Sequence, residues 1–231
     1  MALPISEKFN YTELKSETAS SGVRHYTAPD GIKLPSVTTI LSATKDMTGL
    51  DAWRERIGDE QADKEIREAV NIGNLLHQYL EYYLLDVEHK PGSNMIHRMA
   101  KQMADNVINR GLNRVDEVWG VEVPLYFPHA YAGRSDLIGV FEGVPSIMDF
   151  KNAKKIKKLE WIEDYMMQGV AYSLAHNELY ETNIRQIVIF MASRDMKFET
   201  FIINGREYDD YCDKWIARLG QYLEMQEEKK L

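Results

Sequence analysis

The sequence predicts an α/β fold, with a mostly helical N-terminal half packed onto a mixed β-sheet that is itself flanked by helices. Three observations predict it. Residues 118–127, 131–141 and 144–151 read as three apolar strands joined by tight turns. Residues 185–193 and 197–203 read as two more strands, set apart from the first three by a helical pattern at 159–179. Before all of these come long stretches at helical spacing, 50–86 and 93–110. The order is helices, then β-β-β-α-β-β-α, which suits one domain over residues 1–231. Residues 1–115 would form its mainly helical part and 116–231 its α/β core.

Each element has its own justification. Asp30-Gly31 between β-prone runs marks a hairpin over residues 24–34. Pro35-Ser36-Val37-Thr38-Thr39 leads into an apolar run, where a hydroxyl can cap a helix. Within 72–85, Ile72, Leu75, Leu76, Tyr79, Leu80, Tyr83 and Leu84 fill one broad helical face. His77 falls at the margin of that face, with Gly73 one turn before it. A glycine there weakens the helix, so something approaches it closely. Gly111 is a natural stop for the helix at 93–110.

The helix at 159–179 sets Trp161, Tyr165, Gln168, Tyr172 and Leu179 on one stripe. Gln168 in the middle of it needs a partner, since an unpaired buried amide costs about 1–3 kcal/mol. A neighbouring backbone group would serve, and so would a polar site. Asp195-Met196-Lys197 lies between two apolar runs and reads as a hairpin turn. A final amphipathic helix spans 206–227. Residues 1–20 and 226–231 are polar, and mobile termini are expected there.

Composition excludes several classes. With 44% hydrophobic and 28% charged residues, the 231-residue chain is ordinary for a water-soluble domain. No apolar run reaches the length of a membrane span. The N-terminal MALPISEKFNYTELKSE has neither the apolar core of a signal peptide nor the Arg-rich character of a transit peptide, so a cytoplasmic location is expected. A single cysteine, Cys212, excludes internal disulfides and cysteine-built metal or iron–sulfur sites. A net charge of −8 argues against broad polyanion binding, leaving room for a local basic track. KNAKKIKK at 151–158, with lysines at 151, 154, 155, 157 and 158, is such a track or a solvated loop.

The most informative stretch is YAGRSDLIGVFEGVPSIMDFK, residues 131–151. If its turn centres on Glu142-Gly143, Phe141 faces Val144, Asp136 faces Asp149, and Arg134 faces Lys151. All four then lie on one side of the sheet. Two opposed carboxylates repel, and two arrangements relieve them. Diagonal pairs, Asp136 with Lys151 and Arg134 with Asp149, would make a structural charge quartet. Alternatively, a divalent metal sits between the acids.

Four segments in chain order resemble the PD-(D/E)xK nuclease superfamily in its RecB-like exonuclease branch. They are Gly73-Asn74-Leu75-Leu76-His77, Gly133-Arg134-Ser135-Asp136, Asp149-Phe150-Lys151 and Gln168-Gly169-Val170-Ala171-Tyr172. Upstream, residues 35–58 are similar to the N-terminal signature of the mitochondrial genome maintenance exonuclease and its phage and bacterial relatives. The resemblance covers roughly residues 24–180 and implies a restriction-endonuclease-like core. It implies that His77, Asp136, Asp149 and the Phe150 carbonyl hold Mg²⁺ or Mn²⁺, with Glu122 a further candidate whose register Pro124 clouds. Lys151 would polarise the attacking water and Gln168 would orient Lys151 or the water. Tyr172, Ser36, Thr38, Lys154 and Lys155 would contact DNA. Trp53, Tyr79, Tyr83 and Trp161 are candidates for stacking on bases, alongside a role in the core.

The implied activity is a metal-dependent DNA exonuclease acting on single strands or strand ends, in phage or bacterial replication, recombination or repair. DNA is then the partner, with replication or recombination proteins beside it, and no membrane. A structure-specific endonuclease or nickase, or an inactive DNA-binding module, would use the same fold. No G-x-x-x-x-G-K-[ST] loop is present, so no helicase motor accompanies it.

Overall fold

Alternating apolar residues fold the middle of the chain into paired strands, as seen in a computed structural model that describes residues 5, 6 and 8–228. Five strands form the main sheet: β4 (Val115–Phe127), β5 (Tyr131–Phe141), β6 (Val144–Ala153), β7 (Gln186–Ser193) and β8 (Phe198–Ile203). Their order is β4-β5-β6-β7-β8. All neighbours are antiparallel except β6 and β7, which run parallel. The crossover between these two is helix α5 (Glu163–Tyr180), because a parallel pair cannot be closed by a tight turn. The expected mixed sheet flanked by helices is therefore present.

Side-chain parity assigns the two faces. Leu137, Met148, Phe150, Val188 and Phe190 pack against α3 (Asp59–Leu84) and α4 (Met95–Arg110). Ile138, Ile147, Ile187 and Ile189 pack against α5 and α6 (Gly205–Glu228) on the other side. Each fully buried side chain of this size stabilises the fold by about 1.5–3 kcal/mol relative to exposure.

The β5–β6 turn is the one counted from the sequence. Phe141 pairs with Val144, and the register runs without a slip to Leu137 opposite Met148. Glu142 (φ 50°) and Gly143 (φ 78°) both take left-handed backbone, as a twist-matched two-residue hairpin requires. Glu142 carries strain that glycine would not. Asp116 Oδ2 accepts the Gly143 N–H at 2.7 Å and Arg114 Nε donates to Glu142 Oε1 at 2.9 Å, which holds the turn. The Asp195-Met196-Lys197 turn joins β7 to β8, with Ser193 N–H donating to the Lys197 carbonyl at 2.9 Å.

The N-terminal half differs from expectation in two places. The stretch read as one helix over 50–86 is two, α2 (Thr48–Ile57) and α3, broken at Gly58 (φ 83°). Left-handed backbone ends α2, and Asp59 and Glu60 then favour a new helix N-terminus. Secondly, β1 (Lys15–Thr18), β2 (Arg24–Thr27) and β3 (Lys33–Pro35) form a small sheet in which β2 lies in the middle and pairs with both others. Lys15–Thr18 is exposed throughout, so it carries no alternating pattern to read. Residues 15–18 and 226–228 are thus regular structure rather than loose termini, while 1–4, 7 and 229–231 lie outside the described residues. Ser36 caps α1 (Val37–Ala43) by accepting the Thr39 N–H at 3.0 Å, and Gly111 ends α4, as expected. No helix among the described residues is long and apolar enough to cross a membrane.

Candidate functional site

The β5–β6 ladder stops one step short of the two aspartates. Leu137 opposite Met148 is its last pair. Beyond it the strands part, and Asp136 Oδ2 accepts the Phe150 N–H at 2.8 Å in place of a ladder bond. The directly opposed, paired acids expected from counting are therefore splayed, although their register is as counted. A strand residue's N–H and C=O share one edge, so the Phe150 carbonyl faces the same gap. The charge quartet is not formed. Arg134 turns away from Asp149, and its guanidinium donates to the Glu122 carbonyl at 2.6 Å and meets Glu13 at 3.2 Å.

Three ligand-bearing groups converge in that gap. His77 from α3, Glu122 from β4 and Asp136 from β5 bring one ligand atom each to within 4.8 Å of one another. His77 Nδ1 is 3.5 Å from Asp136 Oδ2. Glu122 owes its place to pairing. Val121 faces Leu137 and Val123 faces Ser135, so Glu122 stands opposite Asp136. Pro124 does not disturb this, because β4 is an edge strand, where proline is tolerated. Glu122 itself takes φ 52°, a conformation costing a non-glycine residue about 1–3 kcal/mol. Such strain persists only where neighbours hold it.

Asp149 lies just outside the trio. Its side chain is 2% exposed, and neither oxygen has a hydrogen-bond partner among the described residues. Lys151 Nζ is 2.6 Å away, close enough for an ion pair though not aligned as a hydrogen bond. The same ammonium donates to Gln168 Oε1 at 3.1 Å, and Gln168 Nε2 donates to the Tyr172 hydroxyl at 3.3 Å. Gln168 is thus satisfied by a polar relay from β6 to α5, not by backbone.

Burial and charge set the protonation of these groups. Burial alone would lower His77, but Asp136 outweighs it and the imidazole is pushed up to about 9. Burial, reinforced by Asp136, pushes the Glu122 carboxyl up to about 7. Burial opposes Asp136 ionising, yet His77, Lys151 and the Phe150 N–H hold its carboxyl below the usual range. Asp149 goes the other way: burial lifts it, Lys151 resists, and Asp136 adds to the rise. Lys151 is raised, since Asp149 and Asp136 overcome its desolvation. The ion pair is lopsided, favouring Lys151 as a cation more than Asp149 as an anion.

These groups fit a divalent metal on two counts. Two carboxylates and an imidazole offer hard ligands from three separate elements. Asp149 presents two buried oxygens, of which Oδ2 has the Lys151 ammonium as counter-ion and Oδ1 has no partner among the described residues, and an unpartnered buried acceptor suits a further cation.

The site opens into a cleft of about 1920 Å³. Thr38 and Lys154 line it with exposed side chains. Ser36 and Tyr172, expected as DNA contacts, are 2% and 3% exposed. Their hydroxyls are engaged by Thr39 and Gln168, so they shape the wall without offering open surface. Lys155 is exposed but does not line the cleft. Trp161, 64% exposed, and Trp53 line it. Tyr79 is core instead, its hydroxyl 2.7 Å from His97 Nδ1, and Tyr83 packs against the α3–α4 core.

Other contributors escaped the sequence reading. Asn152 donates to the Ala69 carbonyl at 3.2 Å and lies so near Gly73 that a Cβ there would come within 2.5 Å of its Nδ2. This is the close approach that Gly73 signalled. Glu65 with Lys154, and Glu68 with Arg194, tie α3 further across the strand ends. Gly133 has a similar reason, for its Cβ would meet the buried Tyr172 ring at 2.6 Å. Gly133→Ala is expected to cost about 1–3 kcal/mol of overpacking, read as a lower melting temperature. An unchanged melting temperature would show that the Tyr172 ring gives way freely.

No family model matches the chain, and no curated protein matches it. Among solved structures it is similar to a protein from Eubacterium rectale named "Putative exonuclease", with a TM-score of 0.50 and 16% identity. The match covers 68% of this chain and 65% of that one, so this chain spans less than two thirds of the neighbour. At this identity the likeness is one of fold alone, helices flanking a mixed sheet.

Proposed function

We propose that this chain is a metal-dependent DNA exonuclease, hydrolysing phosphodiester bonds in single strands or at strand ends. The observation that carries the reading is the convergence of His77, Glu122 and Asp136 beside the buried Asp149–Lys151 pair, at the floor of a large cleft. The "Putative exonuclease" name of the structural neighbour agrees with it.

His77, Glu122 and Asp136, with Asp149 and the Phe150 carbonyl beside them, would hold Mg²⁺ or Mn²⁺. An imidazole in the set suits Mn²⁺ better. When bound, such an ion supplies an activated water and a sink for charge on the leaving oxygen. Lys151 stays charged at neutral pH, because its neighbours raise it. It is therefore an electrostatic stabiliser of phosphate charge and not a general base. Gln168 fixes the ammonium through Oε1, and Tyr172 fixes Gln168. Lys154, Lys157 and Arg194 line the cleft and offer contacts to the phosphate backbone, Lys154 and Arg194 from ion pairs with Glu65 and Glu68 that a phosphate would compete for. Trp161 and Trp53 offer rings to unpaired bases. Phage or bacterial replication, recombination or repair is the setting this activity suits.

Linear and circular single-stranded DNA, each with Mg²⁺, Mn²⁺ or EDTA, test the proposal. Linear strands are expected to shorten from an end in either metal and survive in EDTA, while circles stay intact. Cleaved circles would make the enzyme an endonuclease. Intact linear DNA under every condition would leave a binding module.

A further inference from the structure

Given the proposed metal site, on which this rests, we infer that Arg134 is the positioning residue that turns Glu122 toward His77 and Asp136. Glu122 and Asp136 stand opposite each other, yet the pairs on either side are made while theirs is absent from the ladder. The cause is the left-handed backbone at Glu122 (φ 52°), which takes its peptide out of line with β5. The carbonyl so displaced is received by Arg134 Nη1 at 2.6 Å. The second arm of the guanidinium, Nη2, reaches Glu13 at 3.2 Å. Arg134 is paired with Glu13 and with no member of the trio. Its direct contact with the site is thus the Glu122 carbonyl, and its charge also favours the ionised Glu122 carboxylate.

A forked, permanently charged guanidinium suits this task, since it can hold a carbonyl and a carboxylate at once. Arg134 also precedes Asp136 by two residues on β5. One strand thus carries a ligand and the clamp for the ligand opposite. Without the clamp, Glu122 can relax toward ordinary strand backbone, and its carboxylate leaves the other two groups.

Calorimetric titration of Mn²⁺ alone into metal-stripped protein tests this, with melting temperatures on the same samples. Arg134→Ala is expected to weaken Mn²⁺ binding by about 10–100-fold, the usual effect of losing a group that orients a ligand. Glu122→Gln should weaken it similarly, and the double variant no further than either alone. Arg134→Lys, which can still reach the carbonyl, should recover part of the affinity. Wild-type affinity in Arg134→Ala beside a weakened Glu122→Gln overturns the clamp and leaves the metal site standing. So does a lowered melting temperature with unchanged affinity. Wild type that takes up no Mn²⁺ overturns both. Wild type that binds Mn²⁺ under Arg134 control but cleaves no DNA keeps the clamp and removes the nuclease reading.

Discussion

Asp149→Asn is expected to lower kcat/KM for cleavage of end-labelled DNA by about 10³-fold, the scale of losing one preorganised electrostatic group. The metal-free protein should not lose stability with it. Asp149 is buried with no hydrogen bond to either oxygen among the described residues, and its raised carboxyl shows that the fold disfavours its charge. Asparagine removes that charge, and Lys151 keeps Gln168 and the field of Asp136. Lys151→Ala should cost a similar factor, and the double variant little more, because the two act as a unit. Lost activity together with a collapsed melting temperature would assign Asp149 to structure. Full activity in either variant would sink the mechanism.

Mn²⁺ affinity is expected to rise steeply with pH, because the metal must displace protons. In the metal-free protein His77 holds its proton up to about 9 and Glu122 up to about 7. Below pH 7 both protons must leave, and Asp149, also raised to about 7, adds a third where it joins the ligand set, so affinity should climb by at least about 100-fold per pH unit. Between 7 and 9 only the His77 proton remains, and the slope should fall to about tenfold per unit. The sign for stability follows from the same groups. Both folded values lie above the ordinary ones, so the metal-free fold is favoured while they are protonated. That contribution is complete below pH 4.5 for Glu122 and below 6.5 for His77. It is lost as pH rises through 7 and then 9. Titrations in buffers of differing ionisation heat count the released protons. A flat pH profile with no proton release would remove His77 and Glu122 from the ligand set.

Much of this geometry could be counted from the sequence, because a two-residue turn fixes a hairpin register. Glu142-Gly143 set Asp136 opposite Asp149, and the ladder obeys that count as far as it runs. The same count from Phe127 opposite Tyr131 sets Glu122 opposite Asp136, and only the proline at 124 obscured it. Gly73 and Gln168 announced close packing and a polar partner, but not which ones. Their partners, Asn152 and Lys151, belong to a different element, and periodicity gives a residue's face without saying what meets it. Gly58 followed by Asp59 was a legible break between helices, masked by the continuous polar pattern around it. The splay of β5 from β6 could not be read at all, since there the Asp136 side chain, and not its backbone, takes the Phe150 N–H.

The parallel pairing of β6 with β7 also bears on the order in which the chain assembles. The hairpins β4–β5 and β5–β6 close short loops, so Glu122, Asp136 and Asp149 can gather early and locally. Lys151 follows on the same strand, but Gln168 arrives only once α5 completes its crossover, and His77 only once α3 docks. The carboxylates therefore meet before the groups on the helices that balance them. Until then the cations at hand are Arg134 and Lys151, which share strands with Asp136 and Asp149. A site drawn from two hairpins, a crossover helix and α3 is complete only when the whole chain has folded.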